Sequence, residues 1–90
     1  MNDERLWKAR ETIAEADREM ARLFEKRMDA VREIAAYKRE NGLPVLDRTQ
    51  EEAVIARGLA QIESDDLRDL YVKYIRSVME ISKEYQRSLM

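Results

Sequence analysis

Apolar residues recur along the first part of the chain at helical intervals. Leu6, Ile13, Met20 and Ile34 lie on one seven-residue repeat, with Ala9, Leu23, Phe24 and Val31 beside it. Such spacing gathers apolar side chains into one stripe of an α-helix. No Gly or Pro interrupts the stretch from Asp3 to Asn41. Asn41-Gly42 is then a helix-stop signal, and Pro44 lies just beyond. The pattern predicts a helix over 3–41.

A second helix is expected over 47–62. Asp47 and Gln50 have the spacing of a capping box, and Val54, Ile55, Leu59 and Ile62 supply an apolar face. Gly58 sits inside it at a cost of about 1 kcal/mol, and close packing against another helix would account for it. The run Glu63-Ser64-Asp65-Asp66 breaks the pattern, with Ser64 as the expected N-cap. The third helix is expected over 65–88, with Leu67, Tyr71, Ile75, Val78 and Tyr85 facing inward.

The first helix would extend roughly 57 Å at 1.5 Å per residue. A globule of this chain length has a diameter of only about 31 Å. The helix is therefore expected to project from its own subunit, with its stripe covered by a second copy in a symmetric dimer. The expected fold class is all-α: a single domain over 1–90, three helices, the first of them long.

Composition narrows the chemistry. Charged residues make up 40% of the chain and apolar residues 44%, with a net charge of -2. That balance gives no reason to expect a nucleic-acid partner. No apolar run approaches the length of a membrane span, and the opening MNDERLWKAR has no signal-like apolar core. A cytoplasmic location is expected by default. The chain has no Cys and no His. Disulfides, thiolate metal sites, imidazole bases and Ser-His or Cys-His nucleophiles are thereby excluded.

Several polar residues stand where the pattern calls for apolar ones. Arg27 falls on the seven-residue repeat between Met20 and Ile34. Lys38, eleven positions on, returns to within about 20° of the same face. Arg10 lies about 100° around the helix from Arg27 and some 25 Å along it, so the two are not expected to meet within one chain. An antiparallel pair of chains would bring them together. Glu51 shares the stripe of Ile55, Gly58 and Ile62, while Ser82 and Gln86 border the apolar stripe of the third helix. Singly, each has a plainer explanation: a snorkelling cation, a first-turn acid favouring the helix dipole, a bordering polar pair. Together, three long cations, an inward acid and an amide suit a small dianion held by charge and hydrogen bonds.

Over nearly its whole length the chain resembles the all-helical chorismate mutases. The residues that carry the resemblance are Arg10 in ARETI with Asp17 seven later, Arg27 in LFEKRM, Lys38 in AAYKRENGLPVLD, Asp47 and Glu51 in DRTQEE, and Ser82 with Gln86 in MEISKEYQ. The resemblance implies an intertwined homodimer with two identical sites. It implies the [3,3] rearrangement of chorismate to prephenate, on the route to phenylalanine and tyrosine, without metal or organic cofactor. It assigns Arg27 to one substrate carboxylate and Arg10, from the partner subunit, to the other. Lys38 and Gln86 would donate to the ether oxygen, Asp47 and Glu51 would hold the ring hydroxyl region, and Ser82 would line the carboxylate end. Many relatives carry Arg just before the glutamate, where this chain has Gln50; weaker ligand ordering or altered local electrostatics is expected there. Two other readings share these features: an isochorismate-pyruvate lyase of the same fold, and a non-catalytic helical dimerisation module. The second leaves Arg27, Lys38 and Glu51 on inner faces unexplained.

Overall fold

The computed structural model describes residues 3–90. They form three α-helices, α1 (Asp3–Glu40), α2 (Arg48–Leu59) and α3 (Arg68–Ser88), with a 3-10 turn at Asp65–Leu67 before α3. Among the described residues there is no strand. The chain divides into two units, at Ala30 and Val31.

The first unit contributes most of α1. Acidic Asp3 and Glu4 occupy its first turn, where carboxylates favour the helix dipole. The apolar stripe read from the sequence is present and uncovered: Leu6, Ile13, Met20, Leu23 and Phe24 are exposed, as is Trp7 at 67%.

The second unit, from Val31 onward, holds the core. Val31 and Ala35, one turn apart on α1, are buried, as are Ile75 and Met79 on α3. α1 stops as Asn41-Gly42 predicts. Gly42 adopts φ +64°, a left-handed conformation that glycine takes without the penalty a Cβ brings. The Leu43 amide donates to Lys38 O at 2.8 Å and the Gly42 amide to Arg39 O at 3.4 Å, the paired bonds of a Schellman motif.

α2 starts as expected. Asp47 is its N-cap, with Oδ1 accepting from the Gln50 amide at 3.1 Å. It ends at Leu59, three residues before the expected 62. The last turn tightens instead: Gln61 N–H donates to Gly58 O and Ile62 N–H to Leu59 O, bonds of the 3-10 type that close helix ends. Arg68 completes the closure, its guanidinium donating to Leu59 O at 3.0 Å and Ile62 O at 3.3 Å.

Two expectations about the third helix need correction. Ser64 stands at the N-cap position of the 3-10 turn, but its hydroxyl donates to Asp66 Oδ1 at 2.7 Å and makes no capping bond. Capping needs the hydroxyl oxygen to accept from a backbone amide; turned toward Asp66, it accepts from none. The 3-10 turn takes residues 65–67, so α3 begins only at Arg68, and Leu67 is exposed rather than inward.

Gly58 has the close neighbour its position suggested, on α3. A Cβ there would fall against the Tyr71 hydroxyl and within 2.5 Å of Cε2 and 2.6 Å of Cζ. Gly58→Ala gains about 1 kcal/mol of helix propensity but forces Tyr71 to move, an overpacking penalty of about 1–3 kcal/mol. We expect a net loss of about 1 kcal/mol, read as a lower urea midpoint at unchanged slope. A midpoint at or above the parent's would show that moving Tyr71 costs no more than the gain in helix propensity.

Candidate functional site

The second unit positions five of the residues singled out in the sequence: Lys38, Asp47, Glu51, Ser82 and Gln86. Arg10 and Arg27 lie on the α1 segment of the first unit, Arg10 exposed and Arg27 half-buried.

Lys38 is the last-turn lysine of α1, and its carbonyl anchors the Schellman motif described above. Its half-buried side chain reaches along the loop, where Nζ donates to Val45 O at 2.7 Å. An ammonium has three N–H donors. The carbonyl takes one and fixes the position of the charge, and two remain for other acceptors. The same loop delivers Asp47, whose carboxylate is engaged in capping α2.

On α3 the buried stripe Ile75, Met79, Ser82 and Gln86 changes character along its length, two apolar residues followed by two polar ones. Ser82 is 5% exposed and Gln86 7%. The sequence placed both at the border of the apolar face; they lie within it. Ser82 Oγ donates to Val78 O at 2.9 Å, a bond back along its own helix that serine commonly makes. Gln86 differs. Its Oε1 is buried with no hydrogen-bond partner among the described residues. Leaving such an acceptor unmatched costs about 1–3 kcal/mol; a half-turn of the amide would put the Nε2 donor in its place.

Glu51, on the first turn of α2, is half-buried and faces α3. Its Oε2 lies 2.8 Å from Lys83 Nζ, and that same ammonium lies 2.7 Å from Glu80 Oε1. The two carboxylates, Glu51 first, hold the Lys83 ammonium above its ordinary range. Lys83 is a residue that the sequence reading missed. Its signal was available: it follows Ser82 and precedes Gln86 by three, so it borders the same helix face. Tyr85, expected to face inward, is half-buried, and its hydroxyl accepts from Arg32 Nε at 3.1 Å and Nη2 at 2.8 Å. With Arg39 donating to Leu89 O at 3.2 Å, that pair ties the last turns of α1 to α3.

The arrangement offers cations, neutral donors and one oriented carboxylate. Among the described residues no group of three acidic side chains is placed to hold a metal ion, and no helix is long and apolar enough to cross a membrane. Such a set can bind an organic anion and stabilise shifting charge.

Comparison with known proteins agrees with that chemistry. The family model described as chorismate mutase type II matches residues 9–87. A protein named as a secreted chorismate mutase, from Yersinia pestis, is 37% identical over 71 residues, covering 73% of this chain and 38% of the relative. The chain thus spans less than two-fifths of that relative's length. No solved structure matches.

Proposed function

The chain belongs to the type II chorismate mutase family, and from that premise we propose that it rearranges chorismate to prephenate. The observation that carries this reading is the buried Gln86 amide, its Oε1 without a partner, in a unit that also holds Lys38 and Glu51. The reaction is an intramolecular [3,3] shift. It needs no base, nucleophile or electron carrier, which accords with a chain lacking His and Cys. It needs the substrate held in a compact chair-like form and donors aimed at charge that grows in the transition state.

In this reading Lys38 and Gln86 donate to the ether oxygen as the C–O bond breaks. A half-turn of the Gln86 amide exchanges Oε1 and Nε2 and presents the donor. Glu51 accepts from the ring hydroxyl, and Asp47 shapes that end through the α2 cap. Ser82 lines the carboxylate end, and Arg27 grips one carboxylate. The direct test follows the loss of chorismate absorbance on adding purified protein. No turnover of chorismate, or release of pyruvate from isochorismate instead, would overturn the assignment. Cell fractionation checks the cytoplasmic location expected from the sequence against the secreted location in the relative's name.

We further propose that the working form is a homodimer in which Arg10 crosses to the partner's site. The exposed stripe of Leu6, Ile13, Met20 and Phe24 supports it, because a second copy is the partner always at hand. Arg10 and Arg27 are seventeen residues apart on one helix, roughly 25 Å along its axis. Mixing mutants tests the exchange. Arg10→Ala and Lys38→Ala homodimers should each be nearly inactive. Unfolded together in equal amounts and refolded, they should regain about a quarter of the parent's sites, since half the dimers are mixed and each has one intact site. No recovery, with mixed dimers verified by native mass spectrometry, would place Arg10 in its own subunit's site.

A further inference from the structure

Lys83 has an uncommon setting for a lysine. Its side chain is 11% exposed, whereas lysines are almost never buried without partners. It has two. Glu80, three residues earlier on α3, is a surface neighbour; Glu51 stands across the helix pair on α2. Arg87 also faces Glu80, as a smaller influence than Lys83. One ammonium therefore joins an acid of its own helix to an acid of the candidate site.

The geometry has a chemical consequence. A first-turn glutamate is a rotamer-rich side chain, and ordering it on binding would subtract about 0.5–1.5 kcal/mol from affinity. Lys83 engages Oε2 of Glu51 at 2.8 Å. A carboxylate has about four acceptor positions, so the remaining ones stay open to a hydroxyl donor. The same ammonium offsets a negative charge that would otherwise repel an anionic ligand. We propose that Lys83 is a positioning residue: it holds the Glu51 carboxylate oriented and charge-compensated so that it accepts from the substrate's ring hydroxyl. This rests on the reading of Glu51 given above. The hydroxyl takes no part in bond breaking, so its contact is equally strong in ground and transition states and appears in KM rather than kcat.

The test uses the full chain with chorismate as substrate. Lys83→Met should raise KM about tenfold, the scale of one charge-assisted hydrogen bond, with kcat within about threefold of the parent. Lys83→Arg should restore most of the loss, because a guanidinium can bridge two carboxylates. Glu80→Gln should leave KM near the parent value, since Glu51 keeps its partner. In a Glu51→Gln background, Lys83→Met should add less than about twofold. Should Lys83→Met lose its helical circular dichroism, Lys83→Gln carries the same comparison. An unchanged KM in the lysine variant, or a full multiplication of its effect on Glu51→Gln, would overturn the role. A parent inactive on chorismate refutes the mutase reading and this role with it; an active parent with multiplying effects refutes the role alone.

Discussion

Lys38→Ala is expected to lower kcat by roughly a hundred- to a thousandfold, the scale seen when one transition-state donor is removed. KM should change far less. The ether oxygen is a weak acceptor in bound chorismate and becomes strongly negative only as the C–O bond breaks, so the ammonium matters most at the barrier. The structure adds a control. Lys38 Nζ also donates to Val45 O at 2.7 Å, so the substitution frees a loop carbonyl as well as removing a charge. Loss of a loop contact alone would show as a lower melting temperature with kcat largely kept. A stable variant with near-normal kcat would remove Lys38 from the reaction.

Gln86→Glu is expected to turn a pH-flat catalyst into an acid-dependent one. The parent has no histidine to titrate between pH 5 and 8. A glutamate at position 86 can donate only while protonated, and its ionised form would repel the charge developing on the ether oxygen. Burial at this position, where the native side chain is 7% exposed, disfavours the ionised form and raises the new carboxyl's pKa above the ordinary value of about 4.3. Activity should therefore be greatest below that pKa and fall about tenfold per pH unit above it. The measurement is kcat against pH for both proteins. Parallel profiles would mean that the amide does not face the reacting oxygen.

The helices were legible because their causes are local. The seven-residue repeat, Asn41-Gly42 and the Asp47 cap each act within a turn or two of chain, and each appears in the structure. Errors arose where a neighbouring side chain decides the local geometry. The Ser64 hydroxyl turns toward the Asp66 carboxylate, and its oxygen accepts from no backbone amide. The end of α2 depended on Arg68, a residue outside the helix whose guanidinium takes the terminal carbonyls. For the site, position on a helix face marked Arg27, Lys38 and Glu51 as out of pattern and put Ser82 and Gln86 only at the border of the apolar stripe. It could not reveal that Glu51 has a lysine across the helix pair. That contact depends on how α2 and α3 pack, and the close approach of Tyr71 to Gly58 is one point of that packing.

If the homodimer proposed for the uncovered stripe on the first part of α1 is the working form, catalytic rate depends on the amount of protein in a particular way. When a site is completed only by two chains, its number follows the square of subunit concentration below the dissociation constant and becomes linear above it. A cell doubling its expression in the dilute regime would then gain about fourfold in flux. Pairing would also cover the exposed Leu6, Ile13, Met20 and Phe24, so the same event that switches on turnover would protect the chain from aggregation. Scarcity would be penalised twice, through lost rate and through lost solubility.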